Sequence, residues 1–303
     1  MNISAPASTT QISIIIPTLN EEAYLPTLLD SLNAQTFRDF EIIVADANST
    51  DRTREIAQEY GARVVQGGMP AVGRNNGARE ARGEFLFFFD ADVLLPPDFL
   101  ERALAELDER FIDLATCEFL PNSDLKLDQI LFRLANLTVK LYQSLSPRAA
   151  GFCIFITRRL FRRVGGFDES LKLAEDHDLV QRASAFRPLE VLSDAKLHVS
   201  VRRLEKEGRF ALVQKYMQVE AHLFFKGAIR EDIVDYDFAN FDEQKDRDRL
   251  LDRIESTIIE LDRKLEQSRR ARGEKQGGDE FMEKWKDGFS AMMIALAELT
   301  KPK

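Results

Sequence analysis

Residues 12–46, ISIIIPTLNEEAYLPTLLDSLNAQTFRDFEIIVAD, contain the strongest indication of the fold class. Ile12–Ile16 is a short β-branched run stopped by Pro17, which predicts a strand buried on both faces of a parallel sheet. Leucines at helical spacing follow it and predict a helix: Leu25, Leu28, Leu29 and Leu32. The run EIIVAD, 41–46, predicts the next strand. A strand, a helix and a second strand in this order are typical of a parallel sheet with right-handed crossovers.

The same alternation continues along the chain. Residues 51–61, DRTREIAQEYG, predict a helix that Gly61 ends, and ARVVQ, 62–66, predicts a strand. After a glycine-rich loop, GRNNGAREARG, 73–83, predicts a helix, and FLFFFDAD, 85–92, predicts another buried strand. The fold class that follows is α/β, with a mostly parallel sheet flanked by helices.

Further helices are predicted over 95–111, over 127–145 and from Ala174 onward, and GFCIFITRRLFRRVGGFDE, 151–169, predicts a strand, a basic helix and a Gly-Gly turn. Apolar residues at helical spacing in RLLDRIESTIIELDRKLEQ, 249–267, predict a helical tail. The expected domains are a disordered N-terminus, a main domain and a helical C-terminal extension, at 1–11, 12–227 and 228–303.

The net charge of the 303-residue chain is −9 and its sequence pI is about 5.1, which argues against nucleic acid as a partner. The N-terminus has no basic residue followed by an apolar core, so we expect a cytoplasmic protein. No apolar run approaches the ~20 residues that cross a bilayer. The two cysteines, Cys117 and Cys153, have no metal-ligand spacing and are expected to be buried free thiols.

Two aspartates interrupt the apolar stretch FFFDADVLLP, residues 87–96. Because a buried carboxylate loses its hydration, Asp90 and Asp92 must lie at the end of the strand, be paired, or hold a cation. Residues two apart on a strand face the same side, so the two acids can address one hard divalent cation, which substrate phosphates usually also hold. An exposed turn after a core strand is the alternative, and the motif alone does not decide between them.

Two other motifs also follow predicted strands: Asn20 with Glu21, and Asp46. Ligands of open α/β sheets bind beyond the carboxyl ends of the strands, so these polar residues and the Asp90–Asp92 pair are expected at one edge. Arg74 is placed to neutralise phosphate there. Each motif alone is equally typical of a helix cap or a turn, and only their convergence favours a binding site.

Four segments in this order resemble glycosyltransferase family 2, the inverting transferases with the GT-A fold: SIIIPTLNEE, EIIVADANSTDRT, GRNNGAREARGEFLFFFDADV and GGFDESLKLAEDHDLVQRA. The resemblance covers residues 12–203. It implies a Rossmann-like GT-A fold, a nucleoside diphosphate sugar as donor, an acceptor hydroxyl, and Mn²⁺ or Mg²⁺ as cofactor. UDP is the preferred nucleotide because it is common in the family, and GDP is the alternative.

The resemblance also implies roles for single residues. The nucleotide-binding residues would be Thr18, Glu21, Asp46, Arg74 and Asp90. Asp90 and Asp92 match the Asp-x-Asp motif, whose acids hold the ribose and the metal. Asp176 matches the general base that activates the acceptor hydroxyl. His198 is a candidate third metal ligand, because some members place a histidine downstream of the base, and a structural histidine is the alternative.

The acids next to the expected base have a simpler interpretation. Glu175 and Asp178 are expected to be ordinary acids at a helix N-terminus, or to orient Asp176. The competing functions are a haloacid-dehalogenase-like phosphatase and a degenerate nucleotide-binding scaffold. The phosphatase motif normally lies in the first strand, whereas three strand units precede Asp90 here, and a scaffold would have lost the acids that this chain keeps.

The remaining partners are inferred from composition. Residues 202–230 contain seven bases and three acids among aromatic side chains, which suits peripheral contact with the inner face of a membrane, or a helix packed over the sheet. The acceptor is open, with a lipid-linked sugar among the candidates. The C-terminal helices either pack on the main domain or form a homo-oligomer.

Overall fold

The computed structural model describes residues 10–143, 146–209 and scattered positions between 252 and 267. Its helices and strands are, in chain order, β1 (Ile12–Thr18), α1 (Leu25–Asn33), β2 (Phe40–Asp46), α2 (Thr53–Glu59), β3 (Arg63–Gln66), α3 (Pro70–Glu80), β4 (Phe85–Phe88), β5 (Val93–Leu94), α4 (Phe99–Glu109), β6 (Leu114–Pro121), α5 (Lys126–Tyr142), β7 (Ile154–Thr157), α6 (Arg158–Arg163), α7 (Glu175–Ser184), β8 (Glu190–Val199) and α8 (Arg202–Glu207).

The described residues form two compact units. The first contains 10–122, 142–143 and 146–200, and the second contains 123–141, 201–209 and the positions from 252 to 267. Those last positions are all helical, in line with the predicted apolar spacing. The predicted disordered N-terminus, apart from its last two residues, most of segment 202–230 and most of the C-terminal extension lie outside the described residues. No described helix is both long and apolar enough to cross a membrane.

The first unit is built on an eight-stranded, mostly parallel sheet in the order β3-β2-β1-β4-β7-β6-β8-β5. Strands β1, β2, β3 and β4 pair in parallel, as the alternation of strand and helix predicted. β7 is antiparallel to β4 and β6, and β5 is antiparallel to β8. The predicted α/β fold class is therefore confirmed.

Strand β1 differs from its prediction at Pro17. The strand continues through this proline, which pairs in register with Ala45, and it ends at Thr18. The pairing of β1 with β4 stops at Ile15, whose carbonyl accepts from the Phe89 amide at 3.1 Å. Pro17 lies two residues further along β1, so its backbone nitrogen faces the same side of the strand as that of Ile15, toward β4. Because β4 no longer pairs with β1 at this position, the missing N–H of the proline costs the sheet no hydrogen bond.

Three strands were not predicted from the sequence: β5, β6 and β8. The pairing of β6 with β8 shifts between Cys117 and Glu118, so that three residues of β8, Ser193, Asp194 and Ala195, bulge out of the ladder. The buried Glu106 holds this bulge, accepting from the Ser193 amide at 2.9 Å and the Asp194 amide at 3.2 Å. A bulge interrupts the alternation of apolar and polar residues, and so removes the local signal by which a strand is recognised.

Strand β4 lies in the aromatic core of the first unit. Phe87, Phe88 and Phe89 are fully buried. The Phe88 ring contacts Phe167 edge to face at 5.2 Å, and the Phe87 ring contacts Phe155 at 4.5 Å. Packing on both faces fixes the end of β4 and therefore the start of the segment that carries the two aspartates.

The two cysteines are buried free thiols, as predicted. They are neighbours in the fold: burial raises the pKa of the Cys117 thiol, and a hydrogen bond with Cys153 raises it further. The Thr116 hydroxyl lies 3.1 Å from the Cys153 sulfur. Burial also acts to raise the pKa of Cys153, but hydrogen bonds with Cys117 and Thr116 outweigh it and lower that pKa. Both thiols are packed in the core.

Candidate active site

The loops after β1 and β2 are tied together by the buried carboxylate of Asp46. It accepts from the Thr18 hydroxyl at 3.3 Å, the Ser49 amide at 3.1 Å and the Ser49 hydroxyl at 2.5 Å. The guanidinium of Arg54 approaches it to 3.7 Å. The structure thus brings Thr18 and Asp46 together at the carboxyl ends of neighbouring strands, as predicted. That they contact the nucleotide stays a prediction.

A second set of contacts joins the same two loops at Asn20 and Glu21. Asn20 has φ 55°, and its side-chain oxygen accepts from the Thr50 amide at 2.9 Å. The Glu21 amide donates to the Thr53 hydroxyl at 2.8 Å. Asparagine tolerates the left-handed conformation that this sharp turn requires. The backbone contact of Glu21 places its half-buried side chain at the rim formed by these loops.

Asp90 and Asp92 do not lie on a strand. Strand β4 ends at Phe88, and both aspartates belong to the turn that leads into β5. The expectation that Asp90 and Asp92 lie on one face of a strand is therefore wrong. They lie in the same turn instead. The Val93 amide donates to the Asp90 carbonyl at 3.3 Å, and the Ser200 amide donates to the Asp92 carbonyl at 3.1 Å. The turn is thereby joined to the end of β8.

Arg74 connects this turn to helix α7. Only 4% of the residue is exposed. One terminal nitrogen of its guanidinium donates to Asp90 Oδ1 at 2.9 Å, and the other donates to Glu175 Oε1 at 2.8 Å. Burial alone would lower the pKa of Arg74, but the charges of Asp90, Glu175 and Asp176 outweigh it and raise the pKa. Arg74 therefore stays a cation at the centre of three acids.

Asp176 lies in the first turn of α7, where two backbone amides hold its carboxylate. The Gly151 amide donates to Oδ2 at 2.8 Å and the His177 amide donates to Oδ1 at 2.8 Å. Both bonds leave lone pairs on the carboxylate oxygens. The group is therefore fixed in place and still able to accept a proton.

The two other acids of α7 have different roles. Asp178 forms an ion pair with Arg182 at 2.5 Å, one turn further along the helix, so the structural interpretation holds for it. Glu175 was expected to be an ordinary helix-start acid or to orient Asp176, and instead it binds the buried Arg74. Burial raises the pKa of Glu175, the charge of Asp176 adds to the rise, and Arg74 opposes it.

The three predicted metal ligands do not form one cluster. His198 lies on β8, in register with Leu94 of β5. Among the residues that the structure describes, no three histidine, cysteine or acidic side chains are grouped closely enough to hold a metal ion. Asp90 and Asp92 still offer hard carboxylate oxygens in one turn, which fits Mg²⁺ or Mn²⁺ that takes its other ligands from phosphate and water. The metal site stays a prediction.

Sequence reasoning missed Gly151 as a functional residue. Besides donating to Asp176, it touches Arg74: a Cβ atom added to it would lie 2.5 Å from a terminal guanidinium nitrogen. The segment AAGFC contains no signal for this contact, which depends on residues far apart in the chain.

Comparisons with known proteins agree on one family. The model of "Glycosyl transferase family 2" matches residues 13–164, half of the chain. An uncharacterized glycosyltransferase of Rickettsia typhi is 30% identical over 205 residues, 62% of this chain and 64% of its own length. The poly(ribitol-phosphate) beta-N-acetylglucosaminyltransferase TarS of Staphylococcus aureus is 30% identical over 210 residues, 64% of this chain and 36% of its own. The chain thus spans between about a third and two thirds of these relatives.

Solved structures show the same fold. The crystal structure of S. aureus TarS 1-349 in complex with UDP-GlcNAc matches with TM-score 0.52 and 30% identity, over 63% of this chain and 58% of that one. A mannosyltransferase of Pyrobaculum calidifontis in complex with GDP-Man and Mn²⁺ matches with TM-score 0.54 over 95% of this chain and 86% of its own, at 18% identity, a likeness of fold alone. These neighbours confirm the GT-A fold that the resemblance implied.

Proposed function

Because this chain belongs to glycosyl transferase family 2, we propose that it transfers a sugar from a nucleoside diphosphate sugar to an acceptor hydroxyl, with inversion at the anomeric carbon. One observation carries the proposal. The buried Arg74 joins Asp90, in the turn after β4, to Glu175, next to Asp176 on α7. Asp90, which could bind the cation on the donor side, and Asp176, which could act as a base, are thus linked through one arginine.

UDP is our preferred donor nucleotide. A structure of TarS that is 30% identical to this chain over the matched residues contains UDP-GlcNAc, which supports a uridine diphosphate sugar. GDP is the alternative, and the neighbour bound to GDP-Man resembles this chain in fold alone. On this proposal, Thr18, Glu21 and Asp46 line the nucleotide pocket at the ends of β1 and β2.

Asp176 is the proposed general base. In-line attack requires a group that removes the acceptor proton on the face of the sugar opposite the leaving diphosphate. Two backbone amides hold the Asp176 carboxylate in position. A base of this kind inverts the anomeric centre in one displacement, so the protein needs no nucleophile of its own.

Asp90 and Asp92 would hold the divalent cation, which when bound stabilises negative charge on the leaving diphosphate. Asp90 is 38% exposed at its side chain, so it can reach a ligand while Arg74 binds its other side. We propose the pair as the ligands without His198, because the described residues form no three-ligand group that includes it.

A calorimetric titration tests the donor and the cation together. UDP, GDP, CMP and dTDP are titrated into the protein with and without Mn²⁺, and into the variants Asp92→Ala and Asp108→Ala. We expect one diphosphate to bind in the presence of Mn²⁺, to lose that binding in Asp92→Ala, and to keep it in Asp108→Ala, which removes an exposed helix acid. Absence of binding to every nucleotide in both conditions would refute the proposed function.

The stereochemistry needs a separate measurement. Slow hydrolysis of the bound donor, followed by NMR, is expected to release the sugar first as the anomer opposite to that of the donor. Release of the retained anomer would contradict a single displacement with Asp176 as base.

Location and assembly stay predictions from the sequence. They are a cytoplasmic protein, peripheral membrane contact through 202–230 or a helix packed over the sheet, and C-terminal helices that pack on the main domain or form a homo-oligomer. Co-sedimentation with anionic and neutral vesicles at low salt checks the membrane contact. Absence of binding to anionic vesicles would exclude it.

A further inference from the structure

We propose that Arg74 and Gly151 are positioning residues, which together set the placement of the proposed base Asp176 relative to the donor-side acid Asp90. This inference rests on the proposed function and assigns two further residues to the same site. The family resemblance implies that Arg74 contacts the diphosphate, and the geometry points to a different role.

The contacts of Arg74 leave it little access to a ligand. Its two terminal nitrogens each donate to a carboxylate, at 2.9 Å to Asp90 and at 2.8 Å to Glu175. The guanidinium also lies over the Phe167 ring, 5.6 Å from its centre. Only 4% of Arg74 is exposed, whereas the Asp90 side chain is 38% exposed, so Asp90 is the group of this pair that can face a ligand.

Gly151 connects the same arginine to the base. Its amide donates to Asp176 Oδ2 at 2.8 Å, while its Cα lies so close to Arg74 that an added Cβ would approach a guanidinium nitrogen to 2.5 Å. The end of an arginine side chain normally yields to such a contact, but here two ion pairs and burial hold it. A side chain at position 151 therefore displaces either Arg74 or the segment that orients Asp176.

The charge balance supports the same assignment. Asp90, Glu175 and Asp176 all act electrostatically on the single guanidinium of Arg74. Removal of that cation leaves the acids to repel one another, so α7, with Asp176, is expected to move away from the turn of Asp90, which the Val93 and Ser200 amides hold. Misplacement of a reacting group by about 1 Å can cost on the order of 100-fold in rate.

The decisive variants are Arg74→Met, which removes the charge, and Gly151→Ala, which keeps every charged group. The backbone of Gly151 does not adopt the left-handed conformation, so alanine at this position causes no backbone strain. Its only expected effect is the contact of its Cβ atom with Arg74. We expect both variants to lower the kcat of donor hydrolysis by on the order of 100-fold. The Kd for UDP should change by less than about threefold. Arg74→Lys keeps the positive charge, so its kcat should lie between that of Arg74→Met and that of the wild type.

A pH profile separates positioning from a general loss of folding. Because Arg74 opposes the rise in the pKa of Glu175, its removal should raise that pKa further. The titration of Glu175, followed by NMR, should then move to higher pH in a folded Arg74→Met and should stay in place in Gly151→Ala, whereas an unfolded variant would show the ordinary pKa of a glutamate.

Matched controls come from the same region. Arg79→Met removes an exposed arginine of α3 that pairs with Glu169, and Gly73→Ala adds a Cβ whose nearest neighbour is 3.4 Å away. Both controls should keep kcat within about twofold of the wild type, because neither touches Asp90 or Asp176.

Each outcome decides the assignment. A rise of tenfold or more in the Kd for UDP in Arg74→Met with kcat unchanged would show that Arg74 binds phosphate and would overturn it. Gly151→Ala with the kcat of Gly73→Ala would also overturn it, even if Arg74→Met fails to fold. A wild type that binds no nucleoside diphosphate and hydrolyses no nucleoside diphosphate sugar would refute the proposed function itself, and with it this inference.

Discussion

Two networks of arginine and carboxylate in the first unit have opposite charge balance. In the Arg74 network (Arg74, Asp90 and Glu175), one cation serves two carboxylates and a third, Asp176, lies nearby. In the Asp113 network, one carboxylate receives three donors: Thr157 at 2.8 Å, Arg187 at 2.7 Å and Arg159 at 3.3 Å.

The pKa of the acid differs accordingly. Burial raises the pKa of Glu175 and the charge of Asp176 adds to the rise, while Arg74 opposes it, and the pKa ends above its usual value. Burial also raises the pKa of Asp113, but the hydrogen bonds from Thr157, Arg187 and Arg159 outweigh it, and the pKa ends below its usual value. The network with acids in excess is the one that contains the proposed metal ligand Asp90 and lies next to the proposed base Asp176.

The largest effect is expected at Asp176. Asp176→Asn keeps the shape of the side chain but cannot accept the acceptor proton, so kcat should fall by about 10³-fold while the Kd for UDP stays within about threefold. Steady-state kinetics and calorimetry measure both quantities.

The control for that variant is Asp178→Asn, which removes an acid of the same helix turn that pairs with Arg182. It should lower stability and leave kcat near the wild-type value. Equal losses of kcat in both variants would contradict the assignment of Asp176 as the base and of Asp178 as a structural acid.

Asp113→Asn tests the structural network. The variant loses charge-assisted hydrogen bonds, and because both arginines are more than half exposed we expect a loss of about 1 to 2 kcal/mol in the free energy of unfolding at pH 7. The pKa of Asp113 lies below its usual 3.8, so its stabilisation is present above pH 3.8 and disappears as pH falls through the lowered pKa.

Urea unfolding at pH 7, 5, 3 and 2 measures this difference, with Asp108→Asn as the exposed control. A deficit that persists unchanged well below pH 3 would mean that packing, and not the ionised carboxylate, accounts for it.

The smallest effect is expected at Glu175, and its sign is opposite. The raised pKa means that the folded state favours the neutral acid, so wild-type stability falls as pH rises from the usual 4.5 through the raised value. Glu175→Gln cannot ionise, and its stability relative to the wild type should therefore increase across that pH window, by less than about 1 kcal/mol.

Unfolding series of Glu175→Gln and Asp113→Asn side by side provide the measurement. The difference in free energy of unfolding between variant and wild type should change with pH in opposite directions in the two variants. A change in the same direction in both would contradict the opposite charge balance of the two networks.

Much of the fold could be predicted because its signals are local. Strands β1 to β4 are short apolar runs separated by helices and turns, and these runs are visible in any short window. The glycine that ends α2, Gly61, has φ 76° as its position suggested. β8 could not be predicted, since the bulge at Ser193 and Asp194 depends on Glu106, which lies on another element.

The α/β class, the family and the acids around which a site is expected, Asp90, Asp92 and Asp176, could be inferred before the fold was known. They follow from residue type and order along the chain. How the acids are held became visible only in the folded protein. Arg74 and Glu175 are 101 positions apart in the chain, and their contact exists because β4, α3 and α7 pack against one core. Pairings over such distances depend on the assembled sheet and leave no periodic trace in the sequence.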